Sequence, residues 1–453
     1  MNNITVKDII RATGGELLCG DENTEIKDIC INSREAKPGD LFVPIIGEKV
    51  DAHRFIENAL EVCAATLTSE HNQNVLSDKP YIKVNNTVKA LQDIGVYIRN
   101  RFDIPIVGIT GSVGKTTTRE MVATALNANK AVYQTDKNFN SQVGVPITLS
   151  RMNENAEIAV LEMGMSEPGQ MDILSGIVKP DICVVTMIGV AHIEFLKTKE
   201  NIRDEKLSIV HHMNPEGVLF LNGDDKMLAE VRDKLSVKTL YYGTSEECEY
   251  RAENIRIINY RYAYDYVHDN TRIPVVINAL GKHNVINSLI GLAITDYMGL
   301  DVKKAAESFA HFEGMRQKLI QVPESYTIID DTYNASPDSM KAAIEVLHEL
   351  ESQGKKFIVL GDMFELGENE KKFHYEVGEY LADKSIDELI VIGDLAQNIA
   401  QALKDKNSSI TIRSFKDKEE IAFYLKSDMT SNDIVLLKAS NGMKLYDLVE
   451  MLK

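Results

Sequence analysis

The sequence predicts an α/β protein of three domains: a small α/β N-terminal domain, a central parallel-sheet domain and a C-terminal Rossmann-like domain. Three observations carry this. From residue 104 onward short apolar runs alternate with helical stretches, the pattern of a mostly parallel, doubly wound sheet. The length of 453 residues corresponds to about three domains at roughly 150 residues each. The pattern restarts near residues 103 and 314, giving domains over 1–103, 104–313 and 314–453.

In the first domain VKDIIRATGG and HRFIENALEVCAA read as helices, Pro38-Gly39 as a turn and DLFVPI as a strand. IPIVGIT opens the second as a buried strand, followed by the strand-like AEIAVLEMG, PDICVVTMIG and GVLFLNGDD. KTTTREMVATALNA is helical, a strand-rich insert spans about 239–280, and the helix HNVINSLIGLAITDYMG closes the domain. The third alternates YTIIDD, KKFIVLGD, DELIVIGD, ITIRSF and DIVLLKAS with helices such as SPDSMKAAIEVLHEL. Ser336 there reads as the N-cap and Pro337 as the first helical residue.

Lys plus Arg total 50 against 68 Asp plus Glu, a net charge of −18, which argues against a general nucleic-acid binder or an anionic-membrane protein. Hydrophobic residues are 44% and charged residues 26%, enough apolar material for several cores. No run reaches the roughly 18 apolar residues of a membrane span; the longest, 182–193, is interrupted by Gly189. MNNITVKDII lacks the basic start and apolar stretch of a secretory signal. The five cysteines are scattered without a CxxC, as expected of reduced thiols, so the expected location is the cytoplasm.

The sharpest motif is IVGITGSVGKTTTRE, residues 106–120. An apolar strand meets a loop with Gly108, Gly111 and Gly114, and Lys115-Thr116 opens a helix. Glycines let backbone amides approach phosphate oxygens, the helix N-terminus adds its dipole, Lys115 neutralises β/γ charge, and a Thr hydroxyl can ligate Mg²⁺. Gly111, Ser112, Val113, Gly114, Lys115, Thr116 and Thr117 are therefore the expected ATP-binding residues. Ile109 stands where the strict GxxxxGK[ST] pattern has its first glycine, so the loop is the shorter GxxGKTT form.

Other candidates are less specific. Glu162 ends a strand and should emerge at the carboxyl edge of the sheet, where α/β proteins bind ligands; Mg²⁺ ligation and a solvated carboxylate both fit. His192 sits at the equivalent edge, where a structural histidine is the competing reading. Nothing in KTKENIRDEKLSIV separates Lys206 from Lys197 or Lys199. Asn284 and Asn287, three apart on a helix, can present two amides to an adenine or a metal-linked water, with helix capping the alternative for Asn284. Asp331, Tyr333 and Asn334 follow an apolar strand, where turn chemistry also suits Asn and Asp. Arg316 in GMRQKL reads by default as an exposed arginine.

Taken together, NSREAKPGDLFVPIIGEKVDAHRF, TGSVGKTTTRE, TDKNFNSQVGVPITL, LEMGMSEPGQ, IGVAHIEF, GKHNVINSL, DDTYNASPDSM and GDMFELGE resemble the Mur ligase family of ATP-dependent peptidoglycan precursor ligases across all three domains. The resemblance implies a UDP-substrate-binding first domain, an ATP-binding second domain and a C-terminal ligase domain. It implies ATP and Mg²⁺ as cofactors, and attack of an amine on an acyl phosphate through a tetrahedral intermediate. Within the family the strings look most like the step that adds D-alanyl-D-alanine to UDP-N-acetylmuramoyl-tripeptide. The DNPR string usual for the preceding step does not occur.

Residue by residue, the resemblance implies catalytic roles for Lys115, Glu162, His192 and Lys206. Thr116, Glu162, His192 and a carbamoylated Lys206 would stand at the metals, and Asn287, Arg316 and Asp331 at the nucleotide. Ser33, Arg34, Gly47 and His53 would surround the uridine nucleotide, with Arg34 on its pyrophosphate. Asn138, Asn140 and Ser141 would hold the sugar-phosphate or peptide, and Tyr333 and Asn334 would also face the ligands. Four positions depart from the family pattern: Asn32 replaces Asp, Ala52 replaces Gly, and in KASNGM Ala439 and Asn441 replace Gly and Arg. Lys115, Arg34, Lys49, Arg54 and Arg316 would supply local positive potential for anionic substrates. The expected partners are small molecules alone, with neither nucleic acid nor membrane span, and a monomer is expected.

Two readings of other classes compete. A nucleotide-driven switch acting on a partner protein leaves the first-domain string unexplained. A catalytically dead scaffold conflicts with the retained Lys115, Glu162, His192 and Lys206.

Overall fold

The structure, a computed structural model, describes residues 1, 3–47, 50–70, 77–136, 138–258, 261–314, 318–323 and 325–453. Among them the strands form sheets of two, five, nine and six. The nine-stranded sheet lies within 106–277 and the six-stranded sheet within 318–438.

The five-stranded sheet runs Glu16–Cys19, Tyr81–Lys83, Ala65–Thr68, Asp40–Phe42, Asp28–Cys30 in spatial order. HRFIENALEVCAA yields only a 3₁₀ turn, Ala52–Phe55, and a short helix, Ile56–Leu60. A further helix that the sequence pattern did not suggest, Thr87–Arg99, is capped by Asn86. Gly95 and the β-branched Val88, Ile94, Val96 and Ile98 lower its intrinsic propensity, so its stability comes from burying Leu91, Ile94 and Ile98.

In the nine-stranded sheet β1 (Ile106–Thr110), third from one border, is flanked by β2 (Ile158–Glu162) and β3 (Ile182–Val185), all parallel. Every residue of these three strands is buried, because helices cover both faces and successive side chains enter opposite cores. Val107 and Ile109 join the core under α1 (Lys115–Asn127) and α3 (His283–Tyr297), while Ile106 joins that of the opposite face, beside α2 (Lys199–Leu207). Outward from β3 the sheet continues through Val218–Asn222 and Thr239–Gly243, still parallel. It ends in the antiparallel strands Tyr250–Ile258, Arg261–His268 and Thr271–Ile277. The insert thus begins as part of the parallel sheet. Thr271–Ile277 is one border of this sheet, with Pro274 opposite Asp265, and the three-residue strand Val132–Gln134 is the other.

In the C-terminal sheet β4 (Thr327–Asp330) and β5 (Lys356–Gly361) flank β6 (Ile434–Lys438), all parallel. The helix between β4 and β5, α4 (Pro337–Glu349), has Ser336 as N-cap and Pro337 at its first position, as the sequence pattern indicates. Among the described residues no helix is long and apolar enough to cross a membrane.

Candidate active site

Strand order reverses at β1, and the loops after β1, β2 and β3 open there at the carboxyl edge, the usual ligand crevice of a doubly wound sheet. The loop after β1 is tightly determined. Gly111 has φ +154°, and a β-carbon on it would lie 1.9 Å from Thr186 Oγ1, whose hydroxyl donates to Val113 O at 2.6 Å. Gly114 (φ +85°) caps α1. The first amides of α1 have no carbonyl of their own helix to bond, which suits them to phosphate. The Ser112 amide is already committed to Met187 O at 2.8 Å, so the part of Ser112 left for a ligand is its hydroxyl, a buried oxygen with no hydrogen-bond partner. Lys115 Nζ folds back onto Gly111 O at 2.8 Å.

Glu162, at the end of β2, is 2% exposed. Asn140 Nδ2 donates to its Oε1 at 2.7 Å and its amide donates to Thr135 Oγ1 at 3.0 Å. Its Oε2 is buried without a hydrogen bond, the Arg119 guanidinium being 4.0 Å away. A buried, orphaned carboxylate oxygen beside a phosphate loop fits a hard divalent cation, which takes oxygen ligands. Arg119, buried on α1 and donating to Thr135 O at 2.5 Å, is a neighbour the sequence reading missed. It follows GKTTT directly, but no pattern reveals that it folds under the sheet edge.

Lys206 on α2 is 1% exposed, and no ion pair to it occurs among the described residues. Burial, with the nearby Lys115 charge adding to it, holds its amine well below the ordinary lysine range.

His192 follows β3 at φ +63°. Its Nδ1 lies 2.8 Å from Glu365 Oε2 in the C-terminal domain, off the axis of a straight N–H···O bond. The contact holds the Glu365 carboxyl below its usual range, against the opposing effect of burial.

The C-terminal domain closes the crevice with α4 and the loops after β4, β5 and β6. A cavity of about 910 Å³ is lined by Gly114, Thr116, Thr117, Asn287, Asp331 and Lys438, among others. A second, about 250 Å³, lies between Ser112–Thr116, His192, Asn334, Ser336, Phe364, Glu365 and Asn441. Asn287 accepts from Thr118 Oγ1 at 3.1 Å and donates to Asn284 Oδ1 at 3.0 Å. Asn284 is buried and donates to Leu280 O at 2.6 Å. It therefore bridges to the preceding loop and does not cap α3, whose N-cap is Lys282.

Asp331 is buried, and Lys438 Nζ donates to its Oδ2 at 2.8 Å and to Asn334 O at 2.9 Å. Lys438, only 1% exposed, opens the KASNGM string, but the sequence reading fell on Ala439 and Asn441. Asn441 Nδ2 donates to Tyr333 O at 3.0 Å, tying down the loop that carries Tyr333 and Asn334.

The remaining expected residues are more dispersed. Ser33 and Arg34 lie in a 3₁₀ turn capped by the Asn32 side chain, with Arg34 exposed. Gly47 donates to Val50 O at 3.0 Å. His53 is buried with both ring nitrogens engaged: Nδ1 lies 2.7 Å from Asp51 Oδ1, and Nε2 accepts from the Ser69 amide at 3.1 Å. None of these four lines either cavity. Asn138 is exposed, and Ser141 Oγ accepts from the Gly144 amide at 3.2 Å. Lys49 and Arg316 lie outside the described residues.

Two families match the chain: Mur ligase middle domain over residues 109–295, and Mur ligase, glutamate ligase domain over residues 315–441. A UDP-N-acetylmuramoyl-tripeptide--D-alanyl-D-alanine ligase of Bacillus subtilis (strain 168) is 36% identical, over 98% of this chain and 97% of its own. The protein of that name from Haemophilus influenzae is 30% identical over 96% of this chain and 95% of its own. Among solved structures, MurF from Acinetobacter baumannii superposes with a TM-score of 0.89 at 27% identity, covering 99% of this chain and 98% of that one. MurF ligase from Thermotoga maritima in complex with ADP gives 0.82 at 29% identity, covering 95% and 97%.

Proposed function

The chain belongs to the Mur ligase family, and from that premise we propose that it is the ATP-dependent ligase joining D-alanyl-D-alanine to UDP-N-acetylmuramoyl-tripeptide. Full-length similarity to ligases of that name supports the reading. The observation that carries it is the phosphate loop with Lys115 at the carboxyl edge of the sheet, the neighbouring strand ending there in the orphaned Glu162 oxygen, and the buried Lys206 close enough to feel the Lys115 charge, with a wall from the C-terminal domain facing the loop.

The γ-phosphoryl group of ATP passes to the terminal carboxylate of the tripeptide and ADP leaves. The dipeptide amine then attacks the acyl carbon to give a tetrahedral intermediate, which breaks its bond to the phosphoryl-bearing oxygen and expels phosphate while the nitrogen loses its proton, leaving the amide. The α1 amides and Lys115, released from Gly111 O, hold phosphate oxygens. Asn287 and Asp331 border the larger cavity as nucleotide contacts, and Arg316 would join them. Mg²⁺, when bound, neutralises charge building on the transferred phosphoryl oxygens. Glu162 Oε2, Thr116, His192 and Lys206 would hold it. For Lys206 that role requires carbamoylation: the deprotonated amine adds to CO₂, losing a proton to give a carbamate, so a buried cation becomes an anion. Most of the catalytic effect is then positioning and fixed electrostatics.

Ser33, Arg34, Gly47 and His53 are assigned to the uridine nucleotide, and Asn138, Asn140, Ser141, Tyr333 and Asn334 to the remainder of the substrates. The three units 1–103, 104–313 and 314–453 act as a cytoplasmic monomer. The test is phosphate release with Mg-ATP and UDP-N-acetylmuramoyl-tripeptide, with and without D-alanyl-D-alanine, and mass analysis of the nucleotide product. Dipeptide-dependent release with a pentapeptide product is expected. Turnover with single amino acids alone would place the chain one step earlier, and silence with every acceptor would return the switch or scaffold.

A further inference from the structure

His192 and Glu365 meet across the interface between the central and C-terminal domains, 2.8 Å apart. Both are non-glycine residues in the left-handed region, at φ +63° and +62°, a conformation that a β-carbon disfavours. Such a conformation persists only where the surroundings over-determine it, and here they do.

On the Glu365 side, the preceding loop is pinned by Met363 N donating to His374 Nε2 at 2.9 Å and Phe364 N donating to Ser440 Oγ at 2.9 Å. Leu366, on its other side, is buried in the core of the C-terminal domain. On the His192 side, Val190 and Ile193 pack into that same core, although they belong to the loop after β3. The core of the C-terminal domain thus flanks both halves of the contact, each of which sits in a disfavoured backbone conformation.

We propose that Glu365 is a positioning residue for His192. The C-terminal domain brings a carboxylate to imidazole Nδ1, fixes the tautomer protonated there, and leaves Nε2 with the lone pair a cation needs. A carboxylate behind a metal-bound histidine commonly orients the ring and raises its basicity. The inference rests on the function proposed above and adds a condition to it. The ligand set is fully oriented only while the C-terminal domain lies against the central one, the arrangement that also walls the smaller cavity. The misalignment of the present contact is of the kind that tightens in a loaded site.

The test is Mn²⁺ binding in the presence of ADP and UDP-N-acetylmuramoyl-tripeptide, read from the electron paramagnetic resonance signal of free Mn²⁺. Glu365→Ala should weaken Mn²⁺ affinity by roughly 10–100-fold, the size usual for loss of such a partner. Glu365→Gln, which keeps an acceptor oxygen but no charge, should fall between Glu365→Ala and the wild type. Glu368→Ala, removing a nearby exposed carboxylate, should match the wild type. In turnover, kcat should fall in Glu365→Ala with KM for D-alanyl-D-alanine unchanged. Unaltered Mn²⁺ affinity in both Glu365 variants overturns the proposal, and so does equal weakening in Glu368→Ala, which would mean that net charge alone is at work. The titration is independent of product formation. A wild type that binds Mn²⁺ yet makes no pentapeptide overturns the proposed function and leaves the role of Glu365 standing.

Discussion

Lys438 reaches Asp331 Oδ2 across 2.8 Å from the end of the neighbouring strand, and both side chains are buried. The pair joins the loops after β4 and β6 where they face the larger cavity, and the same ammonium holds Asn334 O. Lys438→Met should destabilise the protein by about 3–5 kcal/mol, the cost of leaving one member of a buried ion pair alone. Urea unfolding followed by circular dichroism would measure this, and a loss under 1 kcal/mol would refute the pairing.

Lys206→Ala should abolish turnover while leaving nucleotide binding in place, and short carboxylic acids should restore part of the activity by occupying the vacated volume with an anion. Intact mass of the wild type in bicarbonate should show one added CO₂. The low basicity of this buried amine favours the reaction, because only a deprotonated amine adds CO₂. Full activity of the alanine variant would end the carbamate hypothesis.

Gly111→Ala places a methyl group against Thr186 Oγ1 in a backbone region where side chains are strained, at roughly 1–3 kcal/mol. The clash falls on the loop itself and spares the hydrophobic cores. The free loop can relax to relieve that strain, and ADP must restore its shape, so ADP affinity should drop about 5- to 150-fold, the same strain expressed as a binding ratio, with the melting temperature little changed. Calorimetric titration of ADP separates this from global unfolding.

His374 gives the C-terminal domain a pH dependence. The ring is buried, accepts from Met363 N at 2.9 Å and lies 2.7 Å from Glu370 O through Nδ1. Burial pushes its pKa below the ordinary 6.5. The unfolded chain therefore takes up a proton that the native state refuses. This contribution is intact above pH 6.5 and is lost as pH falls below it, by up to about 1.4 kcal/mol per pH unit, until the native pKa is reached. Urea midpoints at pH 7.5 and 5.5 should show a steeper loss for the wild type than for His374→Gln. Parallel slopes would contradict it.

Much of this fold was legible because fully buried parallel strands are short apolar runs, and IVGIT, IAVLE and ICVV stand out as such. The phosphate loop was equally plain, since its glycines are demanded by local backbone geometry. Glu162 was visible by its place at the end of a strand, but its orphaned oxygen was not, because that depends on Asn140, Thr135 and Arg119 arriving from other segments. Lys206 was distinguished only by resemblance, for its burial comes from packing and not from helical spacing. Lys438 and Glu365 lay inside strings already in view and were passed over. Their partners are 107 and 173 residues away in the chain, and no local pattern encodes such a meeting. Asn284 had the reverse history: capping was a sound expectation for an Asn near a helix start, yet the helix begins one residue before it and its amide serves the loop behind.

The borders of the nine-stranded sheet bear on how the chain behaves in company. A sheet this wide would offer a long row of unsatisfied amides to any neighbouring polypeptide. One border is a three-residue strand, too brief to template pairing. On the other, Pro274 has no amide proton to offer and Arg272 carries charge. Newly made copies crowded together therefore find no continuous ladder on which to stack, and this broad parallel scaffold is protected against self-association at the two places where it is most vulnerable.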